Sequence, residues 1–367
     1  MASSRRKGEQ VSQRFRVGVV GAGFIGRVHA RAVHTLGQDL AGAAASTPER
    51  SHQAAAQLGA GRAFDTAQEL VSSPEIDVVH ICTPNVLHAA LVRQALAAGK
   101  HVVVEKPVGV SAAEVASLHD QWQNADRVVA VPFAYRFYPT VREARDRLRR
   151  EAVRLIHGSY LQDWMSRDKD TDWRVQAELG GPSRAFGDIG VHWCDLAEFV
   201  TGHRIVRLNA TLPRVVPRRS GSDVDTEDAA LLLFETDKGA HGSTVISQIS
   251  PGRKNRLWLN VDTPVTEYSF DQETPETLWL GGRDATRVLH RGEQGFGADA
   301  MAHSLVPPGH PQGYLDSFTL FIADAYDAMR GHEPDGLPTL TDGLRAARLV
   351  DAVLESAQKR AWVEVAA

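Results

Sequence analysis

Six residues near the start of the chain, Gly21-Ala22-Gly23-Phe24-Ile25-Gly26, restrict the fold more than any other stretch. Val17-Gly18-Val19-Val20 before them reads as a strand, and Arg27 to Leu36 after them carries helical periodicity. In a strand–turn–helix each glycine of this spacing has a physical task. Gly21 permits a tight turn, Gly23 lets main chain approach a pyrophosphate, and Gly26 lets the helix pack closely on the strand. The helix N-terminus, with Phe24 and Ile25 in its first turn, then presents free N–H groups and a partial positive charge to the phosphates. Dinucleotide binding is the function that this arrangement predicts.

The units that follow extend the same pattern. A second strand, Leu40 to Ala44, ends where an acidic side chain would bond an adenosine ribose hydroxyl and repel a 2′-phosphate. Here the chain reads Ala45-Ser46-Thr47-Pro48-Glu49-Arg50. Ser46 and Thr47, with Arg50 one turn on, tip the balance to NADP, with NAD the alternative. Arg50 serves equally as a surface charge of the helix Ser51 to Leu58. A helix (Thr66 to Ser72) and a strand (Ile76 to Cys82) lead to Thr83-Pro84-Asn85-Val86-Leu87-His88. Thr83, Pro84 and Asn85 are placed to line the nicotinamide ribose, and Asn85 is also a candidate helix cap. After the helix Leu87 to Ala98, the strand His101 to Val104 delivers Glu105-Lys106-Pro107 at the same rim. Successive strands ending on one edge are the product of a parallel sheet with crossover helices. A further helix (Ala112 to Asn124) and strand (Val128 to Val131) complete it.

With 367 residues the chain has room for two domains. A net charge of -4 gives no electrostatic footprint for nucleic acid or a membrane surface. The basic run from Arg142 to Arg154 is interleaved with Glu143, Asp146 and Glu151, as on a solvated helix face. Cys82 and Cys194 are too few for a disulfide framework and imply no metal site. Residues 1–14 are polar and lack the apolar core of a signal peptide, so a disordered tail and a cytoplasmic location are expected. No apolar run reaches the ~20 residues needed to span a bilayer.

Beyond Tyr135-Arg136-Phe137-Tyr138-Pro139 and a charged helix (Thr140 to Glu151), strands follow one another without helices between them. They are Leu155 to Asp163, Val206 to Leu212, Ala229 to Glu235, Ser243 to Ile249, Leu257 to Asp262 and Thr266 to Phe270. The fold class is therefore α/β followed by α+β: a Rossmann domain over residues 15–133, then residues 134–367 built on a large open, mostly antiparallel sheet. An open sheet face needs cover, so a homodimer or homotetramer is expected. The polar loop Pro213 to Asp225 is expected to be disordered.

One constellation interrupts these strands: Gly187-Asp188-Ile189-Gly190-Val191-His192-Trp193-Cys194-Asp195. In a helix Asp188 and His192 share a face, and Asp195 is placed to bond the imidazole's other nitrogen. A histidine between carboxylates suits a general base, although a core histidine satisfied by a helical neighbour fits the same spacing. Tyr160, Gln162 and Trp164 alternate to one side of a strand and, with Trp173 and Arg174, suit a polyol. Tyr135 and Arg136 join this substrate set. His310 and Tyr314, ahead of an amphipathic helix (Leu315 to Met329), either close over the substrate or form a neutral loop.

Gly21-Ala22-Gly23-Phe24-Ile25-Gly26, Cys82-Thr83-Pro84-Asn85 with His88, and Glu105-Lys106-Pro107, in this order, resemble the Gfo/Idh/MocA family of nicotinamide-dependent oxidoreductases. The resemblance implies that Lys106 contacts both substrate oxygen and nicotinamide ribose, with Glu105 a positioning partner. It also implies that Asp188 and His192 are the catalytic pair of the substrate domain, the histidine taking a hydroxyl proton. The region around Trp164 is similar to the sugar and inositol (levoglucosan-type) dehydrogenases of the family. The sequence departs from them at Gly181-Pro182-Ser183-Arg184-Ala185-Phe186, which leaves the sugar open. The expected reaction is oxidation of a secondary hydroxyl. Alternatives are a redox-neutral glycosidase or epimerase working by transient oxidation, a reductase of a non-sugar carbonyl, and a non-enzymatic nucleotide sensor.

Overall fold

A computed structural model describes residues 14–367, so the expected tail lies, up to residue 13, outside the described residues. The first half runs β1 (Arg16–Val20), α1 (Phe24–Thr35), β2 (Asp39–Ala44), α2 (Pro48–Leu58), β3 (Arg62–Phe64), α3 (Ala67–Ser72), β4 (Val78–Ile81), α4 (His88–Ala97), β5 (His101–Val104), α5 (Ala112–Trp122) and β6 (Val129–Ala130). Its six strands form a parallel sheet ordered β3-β2-β1-β4-β5-β6. Strand order reverses between β1 and β4, and the crevice beyond that switch point is where such sheets bind ligand. Val17, Val19, Val78, Val79, Val102, Val103 and Val104 are fully buried, which explains the β-branched runs: helices cover both faces.

The second half adds α6 (Pro139–Leu148), β7 (Leu155–Leu161), α7 (Ala177–Gly180), α8 (Val191–Thr201), β8 (Ile205–Thr211), β9 (Arg218–Arg219), β10 (Ser222–Asp223), β11 (Ala229–Thr236), β12 (His241–Ser247), β13 (Arg256–Asp262), β14 (Thr266–Asp271), β15 (Thr277–Gly282), β16 (Thr286–His290), α9 (Ala298–Ala302), α10 (Tyr314–Met329), α11 (Leu340–Lys359) and β17 (Val363–Glu364). A nine-stranded sheet is ordered β16-β15-β14-β13-β7-β12-β11-β8-β17, antiparallel except for the β7–β12 pair. The β15–β16 hairpin is absent from the sequence reading, because Gly281-Gly282 and the charges that follow mask its alternation. Helices α6, α8 and α11 pack on one side of this sheet. The opposite side exposes Leu155, Leu231, Leu233, Val245 and Val288.

Two segments depart from expectation. Pro213 to Asp225 carries the β9–β10 hairpin, and Arg219 within it is buried with its guanidinium on Asp228 (2.6 Å). A buried ion pair thus orders a stretch with the composition of a loop. Helix α10 packs against the parallel sheet: Phe318, Phe321, Ile322 and Tyr326 share one apolar cluster with Val28 and Val33 of α1 and with Val17, Val78 and Val103. The chain returns to β6 as well, where Val131 N–H donates to the Pro338 carbonyl (3.0 Å). Helix α11 is capped by Thr339, with Asp342 closing the capping box. No described helix is long and apolar enough to cross a membrane.

Candidate active site

One cavity of about 1400 Å³ runs from the glycine turn to the inner face of the second sheet. At its first end the three glycines differ in what they permit. Gly21 has φ +99°, and a Cβ there would lie 2.4 Å from the Cys82 carbonyl oxygen. A Cβ on Gly26 would lie 2.0 Å from the Gly21 oxygen. At Gly23 a Cβ would meet nothing within 4 Å, so this position opens on the cavity. Main chain, helix N-terminus and open space at Gly23 together fit a dinucleotide pyrophosphate. Phe24 and Ile25 line the same end. Thr83 Oγ1 is buried without a partner on this wall, a hydroxyl left for a ligand.

Ser46 and Arg50 line the cavity, and Arg50 Nη1 donates to Ser46 Oγ (3.1 Å). Thr47 does not line it: its hydroxyl caps α2, accepting from the Arg50 N–H. Pro84 and Asn85 lie on the wall, but Asn85 is neither cap nor free, since Nδ2 donates to the Gly180 carbonyl (2.8 Å) across the cleft. His88 turns its two ring nitrogens to the carbonyls of Pro107 (2.7 Å) and Thr83 (2.8 Å). Burial pushes its imidazole down, so the neutral ring donates to one of them at a time and ties the two rim loops together.

At the other end Lys106 projects into the junction of the two halves. Its ammonium donates to the Asp188 main-chain carbonyl (2.5 Å) and to Asp188 Oδ1 (2.9 Å). The expected Asp188–His192 contact is not formed. Residues 186–190 wind as a π-helical turn before α8, which takes the pair out of α-helical register and leaves Asp188 facing Lys106. Gln248 Nε2 donates to Asp188 Oδ2 (2.8 Å), and Arg174 Nε stands 3.6 Å from Oδ1. Burial would raise this carboxyl, yet Lys106 and Arg174 outweigh it and hold it below the usual carboxylate range.

His192 lines the cavity beside them, edge-on to Phe133 and Tyr135. Burial first, and then Lys106, push its imidazole well below the ordinary value, with Asp188 working the other way. Its Nδ1 has no partner. The Asp195 carboxylate expected there pairs instead with Arg136, which also reaches Asp342 (2.7 Å). That corrects the reading of Arg136 as a substrate ligand: the guanidinium is buried between two carboxylates and does not line the cavity. Arg184 and Phe186 are likewise withdrawn from the site, Arg184 paired with Asp228 and Phe186 in the core. His310 is exposed outside the cavity, and only its main chain is engaged: the carbonyl accepts from Arg291 (2.7 Å) and the N–H donates to the Pro307 carbonyl (3.2 Å).

Beside His192 starts a hydrogen-bonded wall. The Tyr135 and Tyr160 hydroxyls meet at 2.5 Å, Tyr160 donates to Asn255 Oδ1 (2.8 Å), and Gln162 Nε2 donates to the same oxygen (2.7 Å). Trp164 Nε1 closes the row on Gln162 Oε1 (2.8 Å). Burial pushes the Tyr135, Tyr160 and Tyr314 phenols up, so all three keep their protons. Trp173, Arg174 and Tyr314 complete this end, with the Arg174 guanidinium 4.4 Å from the Trp173 ring centre.

Sequence reasoning missed Asn255, Gln248 and Glu227. The first two lie beyond strand ends, in the 248–255 connection between β12 and β13. Glu227 is buried and accepts from Ser183 Oγ (2.8 Å), Arg184 N (3.1 Å) and Phe186 N (2.9 Å), so it pins the start of the turn that carries Asp188. No sequence spacing links it to that turn.

Two family descriptions match the chain in tandem: "Oxidoreductase family, NAD-binding Rossmann fold" over residues 15–133 and "GFO/IDH/MocA C-terminal domain" over residues 138–263. The chain belongs to the Gfo/Idh/MocA family. This Gfo/Idh/MocA oxidoreductase is similar to levoglucosan dehydrogenase of Pseudarthrobacter phenanthrenivorans, at 29% identity over 96% of this chain and 98% of that one. A solved levoglucosan dehydrogenase in complex with NADH and levoglucosan superposes with a TM-score of 0.90 at 28% identity, covering 96% of this chain and 100% of that one. An inositol dehydrogenase homologue from Azotobacter vinelandii, in complex with NAD+, gives 0.89 at 27% identity, covering 97% and 98%.

Proposed function

We propose that this oxidoreductase oxidises a secondary hydroxyl of a sugar, sugar derivative or inositol. The observation that carries the reading is one cavity in which a glycine turn opens at one end and Lys106, His192 and a wall of hydroxyl and amide groups converge at the other. The similar proteins named above support the polyol class. When bound, the nicotinamide supplies the hydride acceptor.

The neutral His192 takes the hydroxyl proton. Lys106 has three N–H donors, and Asp188 engages it through both carbonyl and carboxylate. A third donor remains for the substrate oxygen, where it stabilises the alkoxide as the proton leaves. Asp188 acts on Lys106 rather than on the imidazole. Tyr135, Tyr160, Gln162 and Asn255 meet the remaining hydroxyls, and Trp173 offers an apolar face to the ring.

Ser46 and Arg50, with no carboxylate at the end of β2, favour a 2′-phosphate, so NADP serves at least as well as NAD. The exposed row of Leu155, Leu231, Leu233, Val245 and Val288 is the face on which two copies would associate. A panel of sugars and inositols with NAD and with NADP, read at the reduced nicotinamide absorbance, tests the reaction. Net cofactor reduction with at least one polyol is expected. Product formation without net reduction would replace this reading with the redox-neutral one.

A further inference from the structure

A second set of titratable groups runs from behind the cavity to Glu105 on its wall and has no part in the chemistry above. Strand β4 reads Val78-Val79-His80-Ile81 and is buried throughout, with His80 0% exposed. A polar side chain in such a strand is costly unless each of its polar atoms is met. Both nitrogens of His80 are met. Nδ1 lies 2.9 Å from Nδ1 of His29 on α1, and Nε2 lies 3.1 Å from the Tyr326 hydroxyl on α10. His29, also 0% exposed, places its Nε2 3.1 Å from Glu105 Oε1. Glu105 Oε2 accepts from the Lys106 main-chain N–H (3.2 Å). Of these residues only Glu105 and Lys106 line the cavity.

Counting protons gives the row a direction. Burial pushes the Tyr326 phenol up and the His80 imidazole well down, so the phenol keeps its proton and His80 carries one N–H. Tyr326 O–H donates to His80 Nε2. With Tyr326 as donor, His80 Nδ1–H faces His29 Nδ1 and a His29 Nε2–H faces Glu105 Oε1, so every contact of the row pairs a donor with an acceptor. Each bond makes the next donor stronger, and Phe318 and Phe15 around the row keep water away.

We propose that Tyr326, His80 and His29 are positioning residues: a buried, one-way hydrogen-bond row that holds the Glu105 carboxylate fixed in the cofactor cleft. The inference rests on the cofactor placement proposed above. It explains why β4, alone among the central strands β1, β4 and β5, carries an imidazole in mid-strand, and why α10 returns to this face.

The test is NADH and NADPH affinity, by fluorescence titration without substrate, for His80→Phe and Tyr326→Phe, each alone and combined with Glu105→Gln. Losing support for a charged acceptor weakens binding by roughly tenfold in His80→Phe, and by about threefold in Tyr326→Phe, which keeps its packing. In the Glu105→Gln background both effects vanish, because the row acts through that carboxylate. Weakening that persists undiminished beside Glu105→Gln, or no weakening in Tyr326→Phe, overturns the proposal. If His80→Phe does not fold, the Tyr326→Phe pair alone decides. A failed polyol panel strikes the proposed reaction and leaves this row standing, while additive affinities strike the row and leave the reaction standing.

Discussion

The two ends of the cavity are built by opposite means. The nucleotide end is made of main chain, a helix terminus and space: Gly23 matters for the Cβ it lacks, and Thr83 offers an unpartnered hydroxyl. The end proposed for substrate is made of phenol, imidazole, charged and amide side chains drawn from β7, the π turn, α8, α10 and the 248–255 connection. The first is specified by residues a few positions apart and the second by contacts such as Lys106–Asp188, separated by 82 residues. A main-chain site therefore tolerates many side chains around it but few Cβ atoms. A side-chain site fails when any member of its network is removed.

Removal of the proposed base tests this contrast most severely. His192→Ala should lower kcat for polyol oxidation by roughly 10²–10⁴. The wild-type pH profile sharpens the same point. Because the imidazole pKa is depressed by burial and by Lys106, the base form persists as pH falls through about 6.5, where an ordinary histidine would gain its proton. The rate of oxidation should therefore stay level through that window and decline only at lower pH. A break near 6.5 that vanishes in His192→Ala would contradict the burial argument.

Arg136→Leu should act on the fold instead. It leaves Asp195 and Asp342 without their buried partner, a loss of about 3–5 kcal/mol in denaturant unfolding. The loss should ease as pH falls toward about 6, since burial pushes the Asp195 carboxyl up to about 6 even against Arg136, and without that guanidinium it takes its proton at still higher pH. KM for the polyol should stay near the wild-type value in the folded fraction, because Arg136 is outside the cavity.

The smallest effects belong to the glycine turn. Gly23→Ala should leave the melting temperature of the cofactor-free protein unchanged while weakening NADH binding about tenfold, since its Cβ occupies only ligand space. Gly26→Ala should lower both, because its Cβ collides with the Gly21 carbonyl before any cofactor arrives. Equal melting losses in the two variants would erase the distinction drawn between them.

By itself the sequence determined the parallel sheet, its rim and the residues standing on it. Gly21, Gly23 and Gly26, the strand ends at Thr83 and Lys106, and six of the nine strands of the second sheet are readable because local spacing encodes them. Which partner each polar side chain takes was decided by tertiary structure. Asp195 turned to Arg136 rather than to His192, and Asp188 turned to Lys106, because a π turn and helix packing set directions that i,i+4 spacing cannot. Asn255, Gln248 and Glu227 had no motif to mark them, and neither did the row from Tyr326 to Glu105. Hydrogen-bond partners of buried groups are chosen by whichever donors and acceptors the folded chain leaves nearest, and that proximity exists only once both sheets are packed together.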